Sequence, residues 1–314
     1  MKNEAMLAGA AIRPLEPDAD LEALLELLRV VARADGQEPL TADRLQEALL
    51  WPKHERWVAA NPTESHDLIG YAVLFHQTTD RCYGDIKVHP AWRRRGIGRQ
   101  LLDRLSERAA ELDAGYLAID VPADNQDALR FLLSQGLRYR GDTWALLAPA
   151  DTPLPPPVWP HGYTARSYAE VADLPLLVEL CNRTFRDLWG HWENTPGMVT
   201  VERMRGWLSH ADPAGTFLVF DSSGAPAGQC RAMPAAAGAP AGTPHVIDQP
   251  GIVPEARDAG LHTPLALTAA HWLRGQSPRP IRLESWGDRR ETIALYESLG
   301  FALVEHEVSY VLAL

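Results

Sequence analysis

The strongest constraint on the fold of this chain is an internal repeat with a constant spacing. A predicted strand, a glycine-containing loop and a helix occur in each half of the sequence. Four residues recur 164 positions later without an insertion or deletion: Pro90, Arg93, Gly96 and Gly136 correspond to Pro254, Arg257, Gly260 and Gly300. The 314 residues are enough for about two domains of ordinary size. The sequence therefore predicts two copies of one fold.

The first copy alternates predicted strands with predicted helices. Apolar residues recur at helical spacing after Pro17 and after Arg99, whereas short apolar runs bounded by turn residues indicate strands. Gly136 is well placed to end the last helix of this copy. In residue numbers, we expect strands at 11–15, 56–60, 68–77, 83–88 and 116–121 and further strands within 137–147, with helices from 17, at 42–51, at 99–113 and at 128–135.

A proline-rich segment separates the two copies. Six of the twelve residues from Pro149 to Pro160 are proline, which has no backbone N–H group and so interrupts helices and sheets. We expect a stiff linker and a domain boundary at this point. The predicted division is a first domain at 1–149, a linker at 150–160 and a second domain at 161–314.

The composition argues against several classes of function. A net charge of −11 disfavours general binding to nucleic acids or anionic membranes, since both require a basic surface. The cysteines, Cys82, Cys181 and Cys230, are odd in number and widely spaced, which indicates reduced thiols and no zinc site; no other metal-ligand spacing occurs. The sequence contains neither the apolar core of a signal peptide nor an apolar run of roughly 20 residues that could span a bilayer. We therefore expect a cytoplasmic protein, of unknown oligomeric state.

The loop between the strand at 83–88 and the helix at 99–113 is basic and rich in glycine. It contains Arg93, Arg94 and Arg95, followed by Gly96 and Gly98. Glycine allows a ligand to approach the main chain closely. The free amide groups at the start of a helix, together with the helix dipole, favour an anion, most often a phosphate. The loop is therefore predicted to bind phosphate, with arginines in reach of outlying phosphate groups.

The spacing Arg-x-x-Gly-x-Gly narrows the type of phosphate loop. No Gly-Lys-Ser/Thr follows, as it would in a Walker loop, and the pattern differs from the dinucleotide fingerprint. The motif follows a Val-x-Pro strand end and precedes an amphipathic helix, and in this setting it resembles the pyrophosphate loop of the GNAT superfamily of N-acetyltransferases. The resemblance implies acetyl-CoA as cosubstrate. It also implies a tandem α/β (α+β) architecture, in which each copy has a central mixed, mostly antiparallel sheet flanked by helices.

The resemblance further implies which residues of the first copy bind acetyl-CoA. In the family, the strand before the loop splays from its neighbour, and its backbone pairs with the pantetheine arm and the thioester. The amides of the loop hold the pyrophosphate, and an asparagine before the last helix contacts the cofactor. The residues at these positions are Ile86, Lys87, Val88, Arg93, Arg94, Arg95, Gly96, Ile97, Gly98, Arg99 and Asn125.

Candidate catalytic residues come from the strand that would carry the thioester. Acetyl transfer to an amine needs a base, a donor for the oxyanion and a route for the leaving thiolate. Asp85 and Tyr83 share a strand face with Lys87 and are the candidates for proton transfer; the alternatives are a salt-bridged carboxylate and a packing aromatic residue. The amide of Val88 is the candidate oxyanion donor. Leu132 stands where many family members carry a tyrosine thought to protonate the thiolate, and leucine cannot do so.

Three further groups have competing interpretations. His76 and His89 could act as bases, but each is more often explained as a surface histidine. The aromatic, mixed-charge run at 185–193 could line an acceptor pocket, although such a run is more often found in a core or a domain interface.

The second copy departs from the family pattern at its loop. His262 replaces the second glycine, Asp258 replaces an arginine, and Pro250 removes one strand amide. Arg289 stands in place of the asparagine, whereas Tyr296 keeps the tyrosine of the last helix or serves only as a core aromatic residue. We expect the second copy to bind acetyl-CoA poorly or not at all.

The predicted function is acetyl-CoA-dependent transfer of an acetyl group to a primary amine of a small molecule, performed by the first copy. Two alternatives remain open: a non-catalytic acyl-CoA-binding or sensing protein, favoured by Leu132, and a peptide or protein N-acetyltransferase, which the acidic composition would suit. The overall layout is similar to that of the mycothiol synthases among tandem GNAT proteins. Those enzymes perform chemistry in their second copy, whereas the intact loop here lies in the first, so their substrate is not assigned.

Overall fold

The computed structural model describes residues 10–51, 53–63, 67–78, 81–186, 199–209, 211–240 and 242–314. Most of the aromatic run predicted as an acceptor pocket or interface, residues 187–193, lies outside the described residues. The chain forms two compact units. The first unit comprises Met1–Arg140 and Ser309–Leu314, and the second comprises Gly141–Val308.

The first unit is a mixed sheet flanked by helices. Its strands have the order β1-β2-β3-β4-β5-β12, and the pairs from β1 to β4 are antiparallel whereas β4 and β5 are parallel. Its elements are β1 Ile12–Pro14, α1 Pro17–Ala34, α2 Ala42–Leu49, β2 His54–Ala60, β3 Leu68–Thr78, β4 Arg81–Val88, a 3-10 helix Pro90–Trp92, α3 Ile97–Glu111, β5 Tyr116–Pro122, α4 Gln126–Ser134 and the beginning of β6 Arg138–Ala148.

The second unit repeats this arrangement. Its strand order is β6-β11-β10-β9-β8-β7, with β10 and β11 as the parallel pair. Its elements after β6 are β7 Thr164–Ser167, α5 Tyr168–Val171, α6 Leu174–Phe185, α7 Val201–Leu208, a 3-10 helix Pro213–Gly215, β8 Thr216–Phe220, β9 Pro226–Met233, β10 His245–Ile252, a 3-10 helix Pro254–Ala259, α8 His262–Gln276, β11 Ile281–Trp286, α9 Arg290–Ser298 and most of β12 Ala302–Ala313. The predicted fold class, tandem α/β with helices flanking mixed sheets, is confirmed.

Helices cover both faces of the sheet in the first unit. On one face, α1 buries Leu24, Leu27 and Val31 against the sheet, in a cluster that includes Leu45 of α2 and Val58 of β2. The spacing of three and four residues in α1 accounts for its single apolar stripe.

On the other face, α3 packs closely on the sheet because two sheet positions lack a side chain. A Cβ atom on Gly70 would lie 2.9 Å from a methyl carbon of Ile97, and one on Gly84 would lie 2.8 Å from a methyl carbon of Leu105. Both distances are shorter than a normal carbon–carbon contact. The close packing fixes the start of α3, and therefore the loop before it, relative to β4.

Two elements differ from the expected ones. The helix after the basic loop begins at Ile97 and not at Arg99, because Gly96 adopts the left-handed conformation (φ 85°) that caps its start. The region predicted to hold several strands, 137–147, forms the single strand β6. Its partner β11 runs antiparallel in unbroken register from Thr143 to Ala148, so the backbone has a hydrogen-bonding partner and no reason to turn.

The proline-rich segment has no helix or strand and packs within the second unit. The Pro155 carbonyl lies 2.8 Å from Nε2 of His271, and the Pro149 carbonyl accepts a hydrogen bond from Arg274. Leu154 and Trp159 pack against the apolar core of this unit. The boundaries of the compact units therefore fall within β6 and β12, and the division at 150–160 stays a prediction about the duplicated segments.

Two further features bear on the sequence analysis. Cys82, Cys181 and Cys230 are buried free thiols. Across the described ranges of the chain, every helix is too short or too polar to cross a lipid bilayer.

Candidate active site

The central feature of the first unit is a fork between its two parallel strands. The pairing of β4 with β5 ends at the pair Gly84 and Ile119. On its other side, β4 stays paired with β3 as far as Val88, opposite Gly70. In the described part of the chain, β5 is therefore not paired with the last four residues of β4, Asp85 to Val88.

The backbone of β4 directs two residues into this fork. The amide of His89 donates to the carbonyl of Ile69 at 3.0 Å, which makes Val88 and Gly70 a non-hydrogen-bonded antiparallel pair. Because such pairs alternate along a ladder, the polar backbone groups of Val88 and Ile86 point away from β3, toward the fork. An extended ligand with amide groups can pair with this edge as a strand would.

The amide groups at the start of α3 lie at the end of β4. Ile97, Gly98 and Arg99 form the first turn of α3, so their N–H groups have no carbonyl of the same helix to donate to. The N-cap residue, Gly96, has no side chain that could occupy them. Together with the helix dipole, these amides make an anion site.

Exposed arginines surround this helix start. Arg94, Arg95 and Arg99 are exposed, and the Arg95 guanidinium lies 4.8 Å from the ring centroid of Trp92. Arg94 has a positive φ of 63°, a conformation that is uncommon for a residue with a side chain. The loop therefore offers positive charge around the free amides.

Arg93 differs from the other arginines, since its side chain is engaged within the protein. Its two terminal nitrogens lie 2.8 and 2.9 Å from the carboxylate of Asp35, the residue that ends α1. Its Nε donates to the carbonyl of Val88 at 3.2 Å. Arg93 thus fastens the loop to α1 and to the end of β4, and its part in cofactor binding stays a prediction.

The start of α4 closes one side of the loop. Phe131 of α4 lies so near Gly98 that a Cβ atom there would be 3.4 Å from the ring. Asn125 caps α4, because its Oδ1 accepts a hydrogen bond from the amide of Ala128 at 3.1 Å. The side-chain NH₂ group of Asn125 remains a donor. Leu132, next in α4, is buried and supplies no proton.

The predicted catalytic side chains lie beside the fork. Asp85 pairs with Lys87 at 3.0 Å, and its side chain remains 40% exposed. The ring of Tyr83 stacks on Phe75 with a centroid distance of 5.4 Å. These contacts correspond to the alternatives of an ion-paired carboxylate and a packing aromatic residue. The imidazole of His89 caps the 3-10 helix, since its Nδ1 accepts from the amide of Ala91.

A second carboxylate, Asp120, faces Asp85 across the fork. It follows Ile119 in β5, and the parallel register of Gly84 with Ile119 places Asp85 and Asp120 on the same face of the sheet. Its side chain is open to solvent. Burial of the surrounding site raises the pKa of the Asp120 carboxyl group, the nearby charge of Asp85 raises it further, and a hydrogen bond from Ser309 lowers it.

Sequence reasoning missed Asp120. The available signal was a lone acidic residue in an otherwise apolar strand, Tyr116–Val121, next in order after the strand of Asp85. Recognising it required the parallel register of β4 and β5. An accessible carboxylate with a raised pKa can accept a proton from a bound amine.

The second unit keeps the fork, but the residues of its loop differ from those of the first unit. β10 and β11 separate after Asp248 and Glu284, at the position corresponding to Gly84 in the first unit. Pro250 has no amide to offer there. His262 is buried at the start of α8, where desolvation lowers its pKa to about 4, with a further decrease from the charge of Arg257. Asp258 adds negative charge to the loop.

Tyr296 belongs to the apolar core of the second unit. Its ring is fully buried, and within the described part of the chain its hydroxyl group has no hydrogen-bond partner. Desolvation raises the pKa of the phenol well above its usual value. This environment corresponds to the interpretation of Tyr296 as a core aromatic residue.

Comparisons with known proteins agree with this geometry. The acetyltransferase (GNAT) family matches residues 21–137. The mycothiol acetyltransferase of Thermobispora bispora is 31% identical over 94% of this chain and 97% of its own length, and that of Salinispora tropica is 31% identical over 93% and 92%.

Solved structures show the same fold over the whole chain. A GCN5-related N-acetyltransferase from Sphaerobacter thermophilus has a TM-score of 0.75 and 22% identity, with 96% of this chain and 95% of that chain covered. A tandem GNAT protein from the clavulanic acid biosynthesis pathway has a TM-score of 0.63 and 19% identity, covering 96% and 98%. The chain belongs to the GNAT family of acetyltransferases, whose cosubstrate is acetyl-CoA.

Proposed function

We propose that the first unit transfers an acetyl group from acetyl-CoA to a primary amine of a small molecule. The observation that carries this proposal is the fork, whose open β4 edge leads directly to the free amides of α3. A ligand with an extended arm and a diphosphate at one end would fit the order of these two sites. The second unit would stabilise the chain and shape its surroundings without binding the cofactor.

The residues present fit acetyl-CoA in order along β4. The amides of Ile97, Gly98 and Arg99 would hold the pyrophosphate, and the backbone of Ile86 and Val88 would pair with the pantetheine arm. The thioester would then lie near Asp85 and Asp120, where β4 and β5 separate. The exposed arginines and the NH₂ group of Asn125 would add contacts to the rest of the cofactor.

The proposed chemistry uses two groups of the first unit, the carboxylate of Asp120 and a backbone amide of β4. Asp120 takes a proton from the ammonium form of the substrate, and the neutral nitrogen then attacks the thioester carbon. The nitrogen loses a second proton to solvent as the amide forms. The Ile86 amide points into the fork beside Asp85 and would donate to the oxyanion that develops on the carbonyl oxygen. The Val88 amide, the donor expected from the sequence, lies nearer the pyrophosphate site. The C–S bond breaks as the amide forms, and CoA leaves as a thiolate, which takes a proton from solvent because Leu132 has none to give.

The relatives support a small acceptor. Two proteins named mycothiol acetyltransferase are 31% identical to this chain, in alignments that cover 94% and 93% of its length. A low-molecular-weight amine related to mycothiol is therefore the first acceptor to examine. The intact loop lies in the first copy, so the position of the acceptor need not be the same as in those relatives.

A turnover assay tests the proposal. The full chain is incubated with acetyl-CoA and a panel of amines, which includes the amine that acetylation converts to mycothiol and a basic peptide, and free CoA and acetylated products are measured. Release of CoA with a small acetylated product is expected. Acetylation of the peptide alone would assign a peptide acetyltransferase, and cofactor binding without release for every amine would contradict the proposal in favour of a binding protein.

The ion pair of Arg93 with Asp35 gives a prediction about cofactor affinity. Asp35→Asn removes the charge that holds Arg93, so the loop loses its tie to α1. We expect the KM for acetyl-CoA to rise about 3- to 10-fold, the range for a partly buried ion pair, with little change in kcat.

The matched control is Asp103→Asn. Asp103 pairs with Arg99 in the first turn of α3, directly after the loop, but at 3.9 Å and with both side chains largely exposed. The KM of the Asp103→Asn variant for acetyl-CoA should stay within about twofold of that of the unmodified chain. Equal effects of the two substitutions on KM would show that the ion pair with Asp35 does not position the loop.

A further inference from the structure

We propose that Ser309, in the last strand of the chain, is a positioning residue for the catalytic carboxylate of the first unit. This inference rests on the proposed function of the fork as an acetyl-transfer site. Its consequence is that the site of the first copy is completed by a residue encoded at the end of the second.

The contact joins distant parts of the sequence. The hydroxyl of Ser309 donates a hydrogen bond to Oδ1 of Asp120, which lies 189 positions earlier. Ser309 is 1% exposed, so its hydroxyl is sheltered from water. A buried donor directed at an accessible carboxylate restricts that carboxylate to one orientation.

The segment around Ser309 is held firmly within the first unit. The amide of Leu314 donates to the carbonyl of Gly115 at 3.1 Å, immediately before β5. The ring of Tyr310 meets that of Tyr139 edge to face, with 6.0 Å between centroids. These contacts fix the end of β12 beside β5, and so fix the position of the Ser309 hydroxyl.

The hydrogen bond also determines which oxygen of Asp120 can react. A serine hydroxyl has one proton to donate, and Oδ1 receives it, so Oδ2 is left to accept the proton of the amine. The same bond stabilises the carboxylate form that a base requires. Asp85 on β4, itself paired with Lys87, opposes that form through its negative charge.

Ser309→Ala tests this role in the full chain. Loss of the donor destabilises the carboxylate, so the acid limb of the kcat/KM profile should move upward by about one pH unit. Below that limb kcat/KM should fall about tenfold, whereas well above it the loss should be small. Ser309→Thr keeps the hydroxyl and should restore the original limb.

Two further measurements separate the possible outcomes. Val311→Ala, on the same strand, should lower stability without moving the limb. An NMR titration of the Asp120 carboxyl carbon should show the same upward shift in Ser309→Ala, whether or not an acceptor has been found. An unmoved limb and an unmoved titration would overturn the role of Ser309, whereas absence of acetyl transfer in the unmodified chain would refute the proposed function instead.

Discussion

Gly96→Glu is expected to weaken the binding of acetyl-CoA by at least about 100-fold. The added carboxylate would stand at the N-cap of α3, beside the free amides of Ile97 and Gly98. It would compete with the pyrophosphate for these amides and repel it. Gly96 also has a φ of 85°, so any side chain there carries a conformational cost of about 1–2 kcal/mol.

Gly260→Glu provides a matched control for that backbone cost. Gly260 has a φ of 74° and occupies the corresponding position before α8. Both substitutions should therefore lower thermal stability to a similar extent. Isothermal titration of the full chain with acetyl-CoA should show lost affinity for the Gly96 variant and unchanged affinity for the Gly260 variant. Equal losses of affinity would refute the assignment of cofactor binding to the first copy.

Asp120→Asn is expected to lower kcat by about 10²- to 10⁴-fold, the usual contribution of a general base. The amide is nearly the same size as the carboxylate and can still accept a hydrogen bond from Ser309, so the fold should be preserved. Binding of acetyl-CoA should change little, because Asp120 lies on β5 and not on the edge of β4 that would pair with the cofactor.

The comparison with Asp85→Asn distinguishes the two carboxylates. The charge of Asp85 raises the pKa of Asp120, so its removal lowers that pKa. Asp120 would then be ionised at lower pH, and the acid limb of kcat/KM should move downward while activity at neutral pH is largely kept. A collapse of kcat in Asp85→Asn, with little effect of Asp120→Asn, would identify Asp85 as the base.

Local features of this chain could be predicted because local sequence determines them. A strand end, a glycine-containing loop and an apolar stripe placed the start of α3 within two residues of its position in the structure. The repeat from Gly96 to Gly260 predicted the second copy of the element order. The strand, loop and helix signals depend on residues a few positions apart, where backbone preferences and helical periodicity act directly. The repeat was recognised by comparing two such local patterns.

The chemistry at the fork depends on contacts that span the chain. Asp120 faces Asp85 only through the register of two parallel strands, and Ser309 reaches Asp120 from 189 positions away. Arg93 was predicted from its motif, but its partner Asp35 ends a helix 58 positions earlier. No spacing rule connects such residues, because the tertiary fold alone brings them together.

The first unit includes the last residues of the chain, so a truncation of the gene would affect it. A stop codon placed anywhere after the proline-rich segment would delete Ser309–Leu314, and with them the edge of the sheet beside β5. The second half of the sequence is therefore necessary to the first unit even though its own loop departs from the family pattern. We therefore expect a variant of this chain that lacks its last strand to be unable to complete the sheet of the first unit.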